Sequence, residues 1–219
     1  EILNTIINKD CLEVMRELPD KCIDVIVCDP PYGIDAFKNG TMGGVSPQHD
    51  KKWNKPHNKV WKKQEWDNKI PSKEVFDEIF RISKNQVIFG GNYMTEFLPP
   101  KSGWIFWDKR GDLPSNYFAD VELAWTSYDK PLKQITHRWM VFLRDSPEER
   151  WHPTMKPTEV MTWIIQNYTK ENDLVLDPFC GSGATLVACK MLGRRYIGVE
   201  LNKEYVDSCE ARLRQDILI

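Results

Sequence analysis

The last fifth of the chain carries the pattern that most restricts the possible folds. An apolar strand is predicted at residues 174–176, followed by a glycine-containing turn and a helix at residues 184–192. A second strand at residues 196–199 and a helix at residues 203–213 come directly afterwards. Strands that alternate with helices form parallel sheets whose faces the helices cover. The pattern therefore predicts an α/β fold with a mostly parallel sheet and helices on both faces.

The remainder of the chain continues this alternation. Further helices are predicted at residues 11–18, after Ser72 as far as Ile82, and at residues 158–168. Further strands are predicted at residues 2–7, 23–28, 86–89, 104–107, 121–125 and 139–143. Because 219 residues suit one hydrophobic core, we expect a single catalytic domain over residues 1–219.

The composition excludes several classes of protein. Hydrophobic residues make up 41% of the chain and charged residues 28%, which is ordinary for a soluble protein. No apolar run approaches the roughly 20 residues that cross a membrane, and there is no basic and apolar leader. We therefore expect a cytoplasmic protein without membrane contact. The six cysteines are scattered and none has C-x-x-C spacing, which indicates reduced thiols and no metal site.

The turn at residues 177–183 has the composition of a nucleotide-binding loop. Its two glycines let the backbone approach a ligand, and the amides that open the following helix can donate to ligand oxygens. Glu200 ends the next strand, where an acidic side chain can accept ribose hydroxyls. A lone Gly-x-Gly would more often be a structural turn, but the combination predicts a nucleotide-like cofactor. Ala184-Thr185 replaces the Lys-Ser/Thr of a phosphate-binding loop, so ATP hydrolysis is disfavoured.

A second polar motif, Asp29-Pro30-Pro31-Tyr32, follows the predicted strand at residues 23–28. The proline pair would fix the backbone and present a carbonyl acceptor beside the Asp29 carboxylate. Two acceptors suit the two hydrogens of an exocyclic amino group and aim its nitrogen at an electrophile. Tyr32 offers a flat face for a base that has been rotated out of a duplex. A plain turn with Tyr32 packed on the core is the alternative, which the cofactor loop elsewhere in the chain disfavours.

A basic segment lies between these two motifs. Residues 38–69 contain eight lysines against three acidic residues, a net charge of +5 in a chain whose net charge is −2. Residues 35–71 lack sustained periodicity and contain three tryptophans, so we predict a long inserted surface loop. Lysines interleaved with tryptophans suit contacts to phosphates and bases. We expect DNA contacts from Lys51, Lys52, Lys62 and Lys63, with a solvated loop that has no such role as the alternative.

Together these motifs resemble the beta class of DNA amino-methyltransferases, in which the tetrapeptide comes early and the cofactor loop late. The resemblance spans most of the chain and rests on residues 8–12, 29–32, 89–91, 107–109, 152–157, 177–183 and 198–201. It implies the Rossmann-like class I methyltransferase fold, with seven strands in a permuted order. It also implies S-adenosylmethionine as cofactor and DNA as substrate, and it is compatible with a homodimer.

The resemblance assigns roles to individual residues. Asp10 would contact the adenine amino group of the cofactor and Glu200 its ribose, while Thr154 and Lys156 would approach its methionine carboxylate. The expected cofactor-binding residues are Asp10, Cys11, Thr154, Lys156, Asp177, Phe179, Cys180, Gly181, Ser182, Gly183, Glu200, Leu201 and Asn202. Two alternatives remain: Asp10 as a helix N-cap, and Lys156 as a surface lysine at the start of a helix.

The resemblance is weakest at residues 131–151, where many family members carry a long recognition domain. Here only a short recognition segment is available, in which Arg138 is expected to contact DNA. Either the loop at residues 35–71 carries recognition, or the sequence specificity is short and loose.

The expected reaction is a direct methyl transfer to an amino nitrogen without a covalent enzyme intermediate. Cys28 lies inside a predicted strand and is expected in the core, not as the nucleophile of C5 methylation. Asp29, in place of a serine, favours adenine N6 over cytosine N4 through the resemblance alone. Methylation of RNA or protein amides is disfavoured because those relatives usually begin the tetrapeptide with Asn. A catalytically silent subunit that binds cofactor or DNA is the alternative from another class, and two complete half-sites argue against it.

Overall fold

The computed structural model describes residues 2–35, 67–114, 119–139, 144–148, 151 and 154–215. Eight strands lie within these ranges: β1 Thr5–Ile7, β2 Ile23–Cys28, β3 Ser83–Phe89, β4 Trp104–Asp108, β5 Val121–Thr126, β6 Lys133–Thr136, β7 Leu174–Asp177 and β8 Arg195–Val199. The α-helices of the same ranges are α1 Cys11–Glu17, α2 Lys73–Ile82, α3 Thr158–Tyr168, α4 Ala184–Met191 and α5 Lys203–Arg214. A short 3-10 helix, Gly91–Tyr93, follows β3.

All eight strands belong to one sheet with the order β1-β8-β7-β2-β3-β5-β4-β6. Strand β5 is antiparallel to its neighbours β3 and β4, and the other neighbouring pairs are parallel. The predicted mostly parallel sheet is therefore confirmed. It holds one strand more than the expected seven, because β6 pairs with β4 at the edge. Strand β6 is almost wholly exposed, so it has none of the apolar alternation by which a strand is predicted.

The sheet separates two apolar cores, because successive residues of a strand point to opposite faces. Val25 and Val27 of β2 pack in one cluster with residues of α3 and α4. Ile26 and Cys28 pack in the other cluster with residues of α1 and α2. The predicted helices on both faces and the predicted core position of Cys28 are confirmed.

The chain changes direction across the sheet between β7 and β2. These two strands are parallel neighbours, with Val25 paired to Val175 and Ile26 to Leu176. From β7 the chain continues through α4 to β8 on one side, whereas from β2 it continues through α2 to β3 on the other. Ligands of open α/β sheets bind beyond the carboxyl ends of strands at such a point. A functional site is therefore expected at the residues that follow Cys28 and Leu176.

One predicted strand is only partly described. Residues 140–143 of the strand predicted at 139–143 lie outside the described residues, while Trp139 forms an isolated antiparallel bridge with Arg144.

Within the described ranges, every helix is too short or too polar to span a lipid bilayer.

Candidate active site

Asp29 directly follows the last residue of β2 and lies at the carboxyl edge of the sheet. Its Oδ1 accepts a hydrogen bond of 2.6 Å from the hydroxyl of Tyr32. Its Oδ2 accepts a second hydrogen bond from the ammonium of Lys156. Pro30 is buried and Pro31 is half-buried. The predicted tetrapeptide thus forms a compact turn in which the Asp29 carboxylate is held from two sides.

Lys156 connects Asp29 to a second carboxylate. Its ammonium lies 3.2 Å from Oε2 of Glu122. The ammonium of Lys109 lies 2.9 Å from Oε1 of the same glutamate. Asp29, Lys156, Glu122 and Lys109 form a line of alternating charge, called here the charge cluster.

Burial and the neighbouring charges shift the pKa values in the charge cluster. Burial raises the pKa of Asp29, with the charge and hydrogen bond of Lys156 opposing this effect and Glu122 adding to it. Burial acts to lower the pKa of Lys156, but the charges of Asp29 and Glu122 outweigh burial, so that the pKa is raised. Burial acts to raise the pKa of Glu122, but Lys156 and Lys109 hold it at about 2. Lys156 and Glu122 are therefore ionised at neutral pH, and Asp29 has an increased affinity for a proton.

The structure places Lys156 beside the tetrapeptide and not on the surface. Its side chain is only 8% exposed, so the alternative of a surface lysine is wrong. A buried ammonium requires close anionic partners, which Asp29 and Glu122 supply. The expected approach of Lys156 to the methionine carboxylate of a cofactor stays a prediction, as does that of the half-buried Thr154.

Tyr32 is fixed at its backbone, its ring and its hydroxyl. Its amide donates a hydrogen bond of 2.8 Å to Oδ1 of Asp67. Its ring stacks on that of Tyr93, with 5.1 Å between centroids and 17° between planes. Gly90 has a φ of +65°, and a β-carbon at this position would overlap the Tyr32 ring. Tyr32 also packs on both apolar cores, as the plain-turn alternative expected, but its bond to Asp29 connects it to the charge cluster as well.

The side chain of Asp177 holds the glycine loop and the start of α4 through two hydrogen bonds. Its Oδ1 accepts a hydrogen bond of 3.0 Å from the amide of Phe179, and its Oδ2 accepts one of 2.5 Å from the hydroxyl of Thr185. Burial raises the pKa of Asp177 to about 7. Gly181 and Gly183 have φ values of +50° and +82°, in the left-handed region that glycine adopts without strain. The loop therefore has the tight backbone that was predicted, whereas the cofactor contacts of its residues, including the buried Cys180 and Ser182, stay predictions.

Glu200 joins the end of β8 to the glycine loop. Its Oε2 accepts a hydrogen bond of 3.0 Å from the amide of Gly181, and its Oε1 accepts one of 2.8 Å from the amide of Asn202. Each carboxylate oxygen keeps a further lone pair that can accept from a ligand hydroxyl. The next residue in the chain, Leu201, is 71% exposed. The half-buried Phe179 lies two residues before Gly181, whose amide binds Glu200, so apolar surface lies close to this carboxylate. This set of groups fits the ribose and base of a nucleoside.

Three expected cofactor residues lie at helix starts. Oδ1 of Asp10 accepts from the amides of Leu12 and Glu13 at 2.8 and 3.3 Å, so Asp10 is the N-cap of α1. Cys11 is the first residue of that helix, and Asn202 caps α5. The N-cap alternative for Asp10 is confirmed. Its contact with the cofactor stays a prediction. The cap uses only Oδ1, so the other carboxylate oxygen can accept from a ligand.

Arg212 connects the glycine loop to the segments around α3, which the sequence analysis missed. Its guanidinium donates to the carbonyl oxygen of Ser182 at 2.7 Å, to Oε1 of Glu148 at 2.6 Å and to the hydroxyl of Thr158 at 2.9 Å. Oε2 of Glu148 also accepts from the amide of Thr158 at 2.9 Å. Arg212 is 5% exposed. This buried ion pair therefore fixes the loop against α3 and the segment that precedes it.

Two other members of the site were also missed by sequence reasoning, Glu122 and Lys109. Glu122 stands in an otherwise apolar strand, and Lys109 belongs to one of the motifs that carried the resemblance. A charged side chain inside an apolar strand was the signal that could have found Glu122.

The residues expected to contact DNA fall in two parts of the chain. Lys51, Lys52, Lys62 and Lys63 lie outside the described residues. Arg138 is exposed and forms an ion pair of 2.7 Å with Asp145, and its contact with DNA stays a prediction. In the described part of the chain, no group of three or more His, Cys, Asp or Glu side chains is arranged to hold a metal ion.

Comparison with known families identifies the class of protein that this fold and site define. The sequence profile of a DNA methylase family, that of the N6 and N4 methyltransferases, matches residues 46–211, more than half of the chain. The chain therefore belongs to this family of DNA methylases. The matched segment contains the glycine loop, Lys156 and Glu122, while Asp29 lies ahead of it.

Individual relatives agree with this assignment. The type II methyltransferase M.HinfI of Haemophilus influenzae is 29% identical, over 98% of this chain and 69% of that protein. The crystal structure of the M1.HpyAVI-SAM complex is 25% identical with a TM-score of 0.58, over 96% of this chain and 99% of that one. PvuII DNA methyltransferase, which is cytosine-N4-specific, shares the fold with a TM-score of 0.62 at 17% identity, over 98% of this chain and 87% of that one. The predicted class I methyltransferase fold is confirmed.

Replacing Gly183 with alanine should destabilise the protein more than the same change at Gly193. Both glycines have positive φ, so each variant carries a strain of about 1–2 kcal/mol. At Gly183 a β-carbon would also overlap Sγ of Cys209, whereas in the described part of the chain nothing lies within 4 Å of one at Gly193. We expect an additional loss of about 1–3 kcal/mol for Gly183→Ala, measured by urea denaturation of the cofactor-free protein. Equal losses would contradict the close contact between the glycine loop and α5.

Replacing Glu148 with glutamine should lower the free energy of unfolding by about 3 kcal/mol, because the buried Arg212 would lose the carboxylate to which it is hydrogen-bonded. The double variant Glu148→Gln/Arg212→Met should lose less than the two single variants combined. Glu17→Gln, an exposed glutamate at the end of α1 that lies 4.0 Å from Lys9, is the control and should change stability by about 0.5 kcal/mol at most. Additive losses in urea denaturation would show that the pair is not coupled.

Proposed function

We propose that this chain transfers a methyl group from S-adenosylmethionine to N6 of adenine in DNA. The observation that carries the proposal is the position of Asp29. It follows β2, and the glycine loop follows β7, the parallel neighbour of β2 at the point where the chain changes direction across the sheet. A carboxylate that can hold an amino group and a loop that can hold a nucleoside therefore lie at one edge of the sheet.

The cofactor would be held by the glycine loop and by the carboxylate of Glu200, whose oxygens already accept from Gly181 and Asn202. S-adenosylmethionine supplies a methyl group bonded to a positively charged sulfur. Phe179 and Leu201 provide apolar surface for its base. Asp10 keeps one carboxylate oxygen for the amino group of that base.

Asp29 and the carbonyl of Pro30 are the two acceptors for the amino hydrogens of the target base. Held in this way, the amino nitrogen keeps its lone pair directed away from the acceptors and towards the cofactor side of the site. The pKa of Asp29 is raised by burial, so its carboxylate is suited to accept the proton that the methylated nitrogen releases. No covalent intermediate with the enzyme is required.

The tyrosine pair beside Asp29 suits a flat aromatic substrate. Tyr32 is fixed by its hydrogen bond to Asp29, and Tyr93 stacks on it with 44% of its surface exposed. Extrusion of a base from the duplex needs such a surface to replace the lost stacking. Contacts to the DNA backbone are assigned to the lysines of the loop at residues 35–71 and to Arg138, and a homodimer remains an expectation.

Cytosine N4 is the second candidate, because two acceptors serve either amino group equally well. The choice of adenine rests on Asp29 in place of a serine at the start of the tetrapeptide. A cytosine-N4-specific methyltransferase shares the fold, so the fold alone does not favour adenine.

Methyl transfer from labelled S-adenosylmethionine to unmethylated genomic DNA should yield N6-methyladenine, identified by mass spectrometry after digestion to nucleosides. N4-methylcytosine would replace adenine by cytosine in the proposal and leave the site unchanged. A chain that binds cofactor and DNA but transfers nothing to any DNA would instead be a silent subunit.

Replacing Asp29 with asparagine should lower the single-turnover rate of methyl transfer by about 100- to 1,000-fold, because the amide offers one acceptor and no proton acceptor. Asp24→Asn is the matched control. Asp24 lies on the same strand near its other end, where it accepts from Lys84 and from the amide of Leu174. The control should keep the wild-type rate, with folding of both variants checked by circular dichroism. A folded Asp29→Asn variant with normal turnover would contradict the mechanism.

A further inference from the structure

Glu122 is a half-buried carboxylate that the proposed transfer does not itself use. We propose that Glu122 is a positioning residue of the methyl-transfer site, which holds the ammonium of Lys156 and through it the carboxylate of Asp29. The inference rests on the role proposed for Asp29. It concerns a residue that touches neither the substrate nor the cofactor.

The contacts make Lys156 a shared group between two carboxylates. Its ammonium donates to Oδ2 of Asp29 and lies 3.2 Å from Oε2 of Glu122. Its side chain is 8% exposed, and those of Asp29 and Glu122 are both 23% exposed. Water therefore has little access to this ammonium, and its position is set by the two carboxylates.

Glu122 is the better anchored of these two partners. It lies in β5, where it is paired with Trp107 of β4, and Lys109 binds its other oxygen at 2.9 Å. The amide of Lys109 also donates to the carbonyl oxygen of Asp120 at 3.0 Å. Lys156 belongs instead to the segment that precedes α3, outside the sheet. The sheet therefore fixes Glu122, and Glu122 fixes the lysine.

Sharing the lysine keeps Asp29 available to a substrate. Oδ1 of Asp29 accepts from Tyr32 and Oδ2 from Lys156, and each oxygen has one further lone pair for an amino hydrogen. An ammonium without Glu122 would have Asp29 as its only anion in the charge cluster. It would then compete more strongly with the substrate for the same oxygens.

The charges that face Asp29 come from several elements. Lys156 precedes α3, Glu122 lies in β5, Tyr32 follows Asp29 along the chain, and Asp177 ends β7 close enough for Asp29 to add to the rise of its pKa. Glu122 raises the pKa of Asp29, and Lys156 lowers it. Removing either one should therefore move the pKa of Asp29, and in opposite directions.

The test measures the single-turnover rate against pH, with saturating S-adenosylmethionine and DNA. Activity falls on the acid side as Asp29 becomes protonated. Glu122→Gln removes a negative charge and should move this acid limb to lower pH. The rate should be about 10- to 100-fold below wild type because Lys156, left with Asp29 as its anion in the charge cluster, competes with the substrate for that carboxylate. Lys156→Met removes the opposing positive charge and should move the limb to higher pH.

Glu78→Gln is the matched control, because Glu78 is similarly shielded at 19% exposure and is paired with Arg81 on α2, away from the site. It should leave both the rate and the acid limb as in wild type. Glu122→Asp keeps the charge but withdraws it by one methylene. Glu122→Asp should therefore lower the rate, but its acid limb should lie closer to the wild-type pH than that of Glu122→Gln. It serves as the second variant if Glu122→Gln does not fold.

Two results would overturn the proposal. One is a Glu122→Gln variant whose rate and acid limb are those of wild type. The other is an acid limb that moves in the same direction along the pH axis in Glu122→Gln and in Lys156→Met. A titration of the cofactor-free protein decides the point independently of activity. It follows the carboxyl carbon of Asp29 by NMR in protein with labelled aspartate, with the resonance assigned from Asp29→Asn. Opposite shifts of this titration in the two variants are expected even if wild type methylates no DNA. In that case the proposed function fails and the coupling of Glu122 to Asp29 stands.

Discussion

Buried charges destabilise a protein unless each one lies beside a partner of opposite sign. In this chain Asp29, Lys156, Glu122 and Lys109 meet that requirement by alternating in sign, and they come from four separate segments. Each segment must therefore take a fixed position before the cluster is satisfied. The turn after β2, the end of β4, the strand β5 and the segment before α3 are held together by these ion pairs.

The elements of the fold could be predicted because their apolar periodicity is local. Strand β2 and helix α3 have the predicted bounds, and the unit from β7 to α5 differs from prediction by one residue at some ends. Strand β6 could not be predicted, since exposed residues such as Lys133 and Gln134 carry no alternation. It is defined by its backbone pairing with β4, which depends on where the rest of the sheet has folded.

The candidate site was predictable only where its chemistry is contiguous in the sequence. The tetrapeptide and the glycine loop are short motifs, so the sequence indicates them directly. The bond between Lys156 and Asp29 joins residues 127 positions apart, and the sequence placed Lys156 in a cofactor role or on the surface. Arg212 is polar in an amphipathic helix, where it resembles any solvated arginine until α5 packs on the glycine loop. Spatial neighbours of this kind depend on topology and have no local signature.

The reversed direction of β5 explains why a glutamate near the start of a strand can reach the site. Parallel strands present their last residues at the carboxyl edge, where Asp29 lies. Strand β5 runs the other way, so its first residues reach the same edge, and Val121 and Glu122 are paired with Asp108 and Trp107 at the end of β4. In a parallel strand, residues at these positions would lie at the opposite edge, far from Lys156. The antiparallel strand thus places a charged group at the carboxyl edge of the sheet, while Ala124 and Trp125 further along the same strand stay buried in the apolar cores.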